Sequence, residues 1–363
     1  MSKLTFILAI FTSLIFSQTN DGKIFDTGFA MEEISSKAPS ELKQATWMIG
    51  SFDVKYTIHT SDTSEIVSTG KSVITLMNRG HGLMERYYSK DFNKQGTELN
   101  TISMLVYNPT QKKWLLGNVD SYKEQCRVYD GDLTDDSFIL YHANRDFGWI
   151  NHRYYKMLIS KTDNGLILRV DNSADYGKTW VKGLTKEYTR TEEKPSWPQS
   201  KTLIGEAAEG LPDEARQFDF LLGEFEGNHT MQRPNGPIRF KDNSTAVHVM
   251  NGHAIMEFSW FDTDPNLPDA ATTIIRIYNR AMRRWESLFF NNRGHSLLYF
   301  GGVKEDDKIV LHSFNAHSGT GSYSYWVFFN WQDNSYQWRS EDTRDRGKTV
   351  TNNWVIDFVR KAK

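Results

Sequence analysis

The chain repeats itself. Residues 47–189 superimpose on residues 220–359 at an offset of 170 to 173, and several unlike signals fall into line at once. MNRGHGLMERYY meets VMNGHAIMEFSW, which pairs His81 with His253 and Glu85 with Glu257. TISMLVYNPTQKKW meets TTIIRIYNRAMRRW, so Tyr107, Asn108 and Trp114 answer Tyr278, Asn279 and Trp285. Gly50 and Phe52 answer Gly223 and Phe225 at the start of each copy, and Arg169 and Gly177 answer Arg339 and Gly347 near the end. A period this long is far beyond that of a solenoid, so each copy is expected to be a whole folded domain.

Within a copy the apolar period is two. Over Thr101–Tyr107, Ile102, Met104 and Val106 share one face, and Ser103, Leu105 and Tyr107 the other. NPTQKK then reads as a turn, and Asp163, Asn164 and Gly165 as a tight hairpin between two alternating runs. Short strands, short turns and almost no helical stretch predict an all-β fold in which an antiparallel meander closes into a barrel and so removes its edges. The expectation is eight to ten strands per barrel, with a two-sheet sandwich as the other solution. The domains are placed at 41–190 and 218–360, with a Pro-containing linker at 191–217 and a short helix leading into each barrel.

At the N-terminus Lys3 precedes an apolar run from Leu4 to Phe16 and then the polar Ser17–Asn20, the layout of a secretory signal peptide. Residues 1–18 are therefore expected to be removed from a product exported to the periplasm or beyond. No cysteine near that point offers a lipid attachment site, and no later apolar run reaches membrane-spanning length, so no membrane anchor is expected. The single cysteine, Cys126, excludes an intrachain disulfide and a multi-cysteine metal site. With 43 basic and 45 acidic side chains the net charge of −2 gives no long-range field for nucleic acid.

Aromatic side chains make up 13% of the residues, which is enough to line cores, cavities or both. Against that background the candidate chemistry is His81 with Glu85 and His253 with Glu257, four apart and hence about 13 Å along a strand. They need partners from neighbouring strands to act as acid or base. Arg169 with Asp171 and Arg339 with Glu341 form i, i+2 pairs that either grip a polar ligand or brace the barrel. The stretch 287–300 sets Asn291, Asn292, Arg293 and His295 among aromatics, and Arg276 stands where the first copy has Leu105. GKT at 177–179 and 347–349 lacks the glycine and helix of a phosphate loop and reads as a hairpin turn. The histidines show no metal-ligand spacing, and no cofactor is expected.

The paired openings ATWMIGSF and FDFLLGEF, the His-x-x-x-Glu pattern, the YNxxxxxW hairpin and the closing GKT turn together resemble a bacterial family of lipocalin-like domains of largely unknown function. Its members typically open with Leu-x-Gly-x-Trp; here Phe52 and Phe225 stand in the Trp position. The resemblance implies two tandem antiparallel lipocalin-like β-barrels and a small apolar or amphipathic ligand, and supplies no catalytic motif.

Beside a structural or protein-interaction module, two functions stay open on these residues. One is an exported small-molecule binder with an aromatic-lined cavity, for a polar or amphipathic organic ligand with carbohydrate among the candidates; its contacts would come from His81, Glu85, Arg169, Arg276, Trp285, Asn292, Arg293 and Arg339. The other is an enzyme that cleaves, isomerises or hydrates such a molecule in the second barrel, using His253, Glu257, His295 and Glu341.

Overall fold

The computed structural model describes residues 33–362 apart from 62–63, 93–95, 144–153, 194, 196, 198–201, 203, 262–268, 315–322, 344 and 346–347. The signal-peptide reading of residues 1–18 lies outside the described residues. Two closed antiparallel barrels of ten strands each follow one another along the chain. The first holds β1 (Gly50–Ser61), β2 (Ser64–Met77), β3 (Gly82–Ser89), β4 (Leu99–Asn108), β5 (Lys113–Asp120), β6 (Gln125–Thr134), β7 (Ser137–Ala143), β8 (Tyr154–Thr162), β9 (Gly165–Ser173) and β10 (Val181–Thr191). The second holds β11 (Gly223–Met231), β12 (Ile238–Val249), β13 (Ala254–Trp260), β14 (Ala271–Asn279), β15 (Arg284–Asn291), β16 (Ser296–Glu305), β17 (Lys308–Phe314), β18 (Tyr323–Gln332), β19 (Ser335–Thr343) and β20 (Thr351–Arg360). Each is a meander in which every strand pairs with its neighbours in sequence, and β1 with β10 and β11 with β20 close the ring. No open edge remains in either barrel.

One end of each barrel is plugged. The 3-10 helix Ser40–Met48 buries Leu42, Ala45 and Met48 in the first, and the turns Asp213–Arg216 and Asp219–Leu221 bring Ala215, Phe218 and Leu221 into the second. An arginine from each last strand ties the plug down. Arg190 Nη1 donates to Ile49 O at 2.8 Å, and Nη2 to Trp47 O, with the guanidinium 5.0 Å above the Phe52 ring. Arg360 Nη1 donates to Leu222 O at 2.6 Å and Nη2 to Phe220 O at 3.4 Å, 4.4 Å above Phe225. The Gly-x-Phe opening of each copy is half of this lock. A Cβ on Gly50 or Gly223 would lie 2.5 Å from the arginine Nη1, and Gly223 has φ +108°. The YN hairpins have an equally local cause: Asn108 Oδ1 and Asn279 Oδ1 each accept a backbone N–H three residues on, at 2.9 Å, and Lys112 and Arg283 take the left-handed position that follows.

The strands with large side chains on both faces do so because the barrels pack on each other. Ser103 and Leu105 of β4 turn inward, whereas Ile102, Met104 and Val106 turn outward into a core shared with Met256, Ile275, Ile277, Leu288 and Phe290 of the second barrel. That shared core is mainly aliphatic and methionine; the aromatic surplus sits chiefly inside the barrels. The barrels lie side by side and head to tail. Turns at the plugged end of the first (His81, Asn78) meet the opposite end of the second (His295, Thr273), and Glu124 of the first meets Arg280 beside the plug of the second.

Candidate functional site

A carboxylate points into the middle of each barrel from the same place on the third strand. Glu85 accepts hydrogen bonds from Ser72 Oγ at 3.1 Å, Ser103 Oγ at 3.1 Å and Tyr188 OH at 2.7 Å, with Lys186 Nζ 3.7 Å away. Glu257 accepts from Ser244 Oγ at 2.9 Å and faces Arg276 Nη1 at 2.7 Å. Both carboxylates are buried, so each needs its neutralising cation. The two barrels supply that cation from different strands: Lys186 from β10 in the first, Arg276 from β14 in the second. Lys186 has Ile356 as its counterpart, by the register of the Arg190 and Arg360 locks, and Arg276 has Leu105.

The second barrel is filled. Arg276 lies 5.3 Å from the Phe218 ring and 5.4 Å from Phe328; Trp326 stacks on Phe300 at 3.8 Å and meets Trp338 edge-on at 5.7 Å. Towards its unplugged end His229 stacks on Phe240 at 4.4 Å and is fixed at both nitrogens. The Trp354 indole N–H donates to Nδ1 at 3.0 Å, and since an indole only donates, the imidazole proton sits on Nε2, 3.1 Å from Asp242 Oδ1. Burial pushes the Asp242 carboxyl up, against the lowering effect of His229.

The unplugged half of the first barrel is different. Lys186, 5% exposed, places its ammonium 4.3 Å from the centre of the Tyr87 ring and 5.6 Å from that of Tyr56, with Thr101 Oγ1 at 3.3 Å. Tyr87 is fully buried and its hydroxyl has no hydrogen-bond partner among the described residues; the hydroxyls of Ser68 and Ser89 are close by without meeting the geometry. Burial pushes the phenols of Tyr56, Tyr87, Tyr129 and Tyr188 up, so all four are protonated donors at neutral pH. Gly70 makes this arrangement fit, since a Cβ there would stand 2.8 Å from the Tyr87 hydroxyl. Nearer the mouth, half-buried Arg127 lies 4.6 Å over the Tyr155 ring and hydrogen-bonds the Tyr129 hydroxyl, His142 stands between Tyr129 and Tyr155, and Phe92 covers Tyr56 edge-on at 5.1 Å. Asp120 is committed to its own turn, accepting the N–H groups of Tyr122 and Lys123 at 2.8 and 3.1 Å. Between Glu85 and the plug a further cavity, walled by Met48, Leu83, Ser103, Leu168 and Tyr188, gives about 20 Å³ to water centres, room for one or two waters.

The residues singled out from sequence scatter. His81 precedes β3 instead of lying on it, so it does not share a face with Glu85: its Nδ1 is 3.2 Å from His295 Nε2 of the other barrel. His253 likewise precedes β13 and feels Glu124 across the interface and Arg280 of its own barrel, while Glu257 looks inward. Arg169 and Asp171 pair at 3.0 Å on β9, with Lys156 at 3.7 Å and Arg169 exposed at the surface; Arg339 and Glu341 pair on β19, with Arg339 4.9 Å over the Phe329 ring. Trp285 packs on Phe218 at 4.8 Å and donates to Gln217 at 3.2 Å, Asn292 bridges Ala271 and Asp269, and Arg293 occupies a turn closed by Asn291. Of the named residues, Glu85 lies beside Lys186 in the first barrel and the others lie elsewhere. Among the described residues no group of three or more potential ligands is placed to hold a metal ion. Lys186, Tyr87, Tyr56 and Arg127 were missed. The signal for Lys186 was an alternating strand with an inward lysine, KGLTKEY, where the other copy reads NNWVIDF.

No known family profile matches the chain, and no curated protein matches it. Among solved structures it is similar to a protein of unknown function from the DUF3598 family of Nostoc punctiforme PCC 73102, at 11% identity over 89% of this chain and 100% of that chain, with a TM-score of 0.21. A putative AttH from Nitrosomonas europaea gives 7% identity over 91% and 99%, with a TM-score of 0.13. Neither likeness carries an argument about this chain.

Proposed function

We propose that this chain is an exported small-molecule binding protein whose ligand occupies the unplugged half of the first barrel, the second barrel serving as its packed support. One observation carries the reading: a buried ammonium held between tyrosine rings, beside a buried phenol with no partner among the described residues, in the barrel whose counterpart has Ile356 and Ser259 at those positions. Apolar walls with a few convergent polar groups are what a small organic ligand needs. The lipocalin-like resemblance points the same way, although each barrel here has ten strands rather than eight. Acid–base catalysis has less support, because Glu85 and Glu257 are each held by donors and a cation. Export rests on Lys3 and the apolar run after it.

The test is native mass spectrometry of protein recovered from the producing cells, with Edman sequencing of its N-terminus. The expected result is a non-covalent adduct retained by wild type and lost in Tyr87→Trp, which puts a larger ring beside Lys186, with a mature N-terminus near residue 18. An adduct equally retained by Tyr87→Trp and lost instead on changes in the second barrel would overturn the assignment to the first.

A further inference from the structure

We infer that the ligand carries a carboxylate, taken by Lys186 and Tyr87 in the first barrel; this rests on the binding reading above and names its ligand class. Donors outnumber acceptors around one point in the first barrel. An ammonium has three donor directions. Among the described residues Lys186 has one partner at hydrogen-bond distance, Thr101 at 3.3 Å, and its carboxylate neighbour Glu85 stands off at 3.7 Å. Glu85 is meanwhile supplied by three hydroxyls, from Ser72, Ser103 and Tyr188. Donor capacity therefore remains on Lys186. The Tyr87 hydroxyl and the neighbouring Ser68 hydroxyl are also buried without partners.

Acceptors do not match them. Glu85 holds three hydroxyls, Asp120 Oδ1 takes two N–H groups of its own turn while its charge faces Arg127 and Tyr56, and the π faces of Tyr56 and Tyr87 offer the ammonium only a diffuse acceptor. An ammonium with donor directions to spare and two hydroxyls outside hydrogen-bond geometry are costly in a buried place, and a carboxylate answers them with two oxygens and about four lone-pair sites. Charge-assisted bonds to it are about twice as strong as bonds to a neutral carbonyl, which favours the acid over its amide. Tyr56, Tyr87, Phe92 and Tyr129 then form the wall for an aromatic or aliphatic body. The second barrel places its polar groups differently. Ile356 replaces the lysine, Ser259 replaces Tyr87, and Arg276 Nη1 lies 2.7 Å from Glu257 Oε2, with Arg276 Nε and Ser287 Oγ buried without hydrogen-bond partners among the described residues.

The experiment uses the full chain and three matched probe pairs, indole-3-acetate, 4-phenylbutyrate and decanoate, each beside its primary amide, titrated by calorimetry at neutral pH. The expected result is that at least one acid binds at least tenfold more tightly than its amide. Lys186→Met should abolish that preference, Lys186→Arg should retain part of it, and Tyr87→Phe should reduce it a few-fold. Thermal unfolding of each variant establishes that it folds, and Lys186→Arg keeps the test decisive if Lys186→Met does not. Acid and amide binding equally, both blocked by Tyr87→Trp, would overturn the carboxylate while leaving the binding site in the first barrel. Binding of acids undisturbed by both Lys186 and Tyr87 variants would place the carboxylate elsewhere and overturn the inference. Failure of every probe to bind wild type would count against the inference and the binding reading together.

Discussion

At the scale of single residues, the buried carboxylate and its cation set the local chemistry of each barrel. Glu257 and Arg276 are 6% and 1% exposed in their side chains, so removing one partner strands the other charge in a low-dielectric interior. Arg276→Met is expected to cost about 3–5 kcal/mol. Combining it with Glu257→Gln should recover most of that loss, because the stranded charge goes with it. Urea unfolding of the two variants checks this; equal destabilisation by both would show that the methylene packing of Arg276 against Phe218 and Phe328 dominates over its charge. The carboxylate itself was legible in sequence, since Glu85 and Glu257 align across the repeat. Its partner was legible only in the second copy, where Arg276 interrupts an apolar strand. Lys186 escaped notice because strand alternation gives relative faces only, and a lysine reads as outward until the inner face is known.

At the scale of elements, the plug and its arginine explain why the two copies start alike. Gly-x-Phe is a structural signature here: glycine leaves room for the guanidinium, and phenylalanine lies beneath it. Gly223→Ala should therefore cost roughly 1–3 kcal/mol through the strained φ and displace Arg360 from the Leu222 carbonyl. Gly210→Ala is the control, since Gly210 also has a positive φ, +77°, but a Cβ there meets nothing within 4 Å. Hydrogen exchange at 213–222 should rise in the first variant far more than in the second; similar protection in both would mean that the arginine does not hold the plug. The strands, the YN hairpins and the Asp-x-Gly-Lys-Thr turns were all readable, because each depends on residues within a few positions. Asp175 and Asp345 show this plainly. Each binds its own Thr179 or Thr349 through backbone N–H at 2.8 Å and hydroxyl at 2.6 Å, which pulls the carboxyl pKa down to about 2.

At the scale of the whole molecule, the histidines that looked catalytic are joints between barrels, and the reason lies in one residue of register. His81 and His253 occupy turns just before β3 and β13, so they leave the strand face that Glu85 and Glu257 share and point towards the other barrel. Only the packing of two barrels could reveal that, and no local pattern encodes it. The two joints differ. At one, His81 meets His295, with Asp269, Lys37 and Arg79 around them; at the other, His253 lies near Glu124 and Arg280. Burial, then the His295 imidazole, lower the His81 pKa to about 4, and burial lowers that of His295. An unfolded His81 takes its proton near pH 6.5, so between about 6.5 and 4 the unfolded chain binds more protons than the folded one. The stabilisation is fully present above pH 6.5 and is lost as the pH falls towards 4. Replacing His81 with Gln removes that titration while keeping a polar side chain. The urea midpoint of wild type is expected to fall more steeply than that of His81→Gln between pH 7 and 4.5, with the two slopes alike above pH 7. Parallel slopes throughout would mean that His81 titrates in the folded protein as it does in the unfolded chain, and that the joint between the barrels is indifferent to acid.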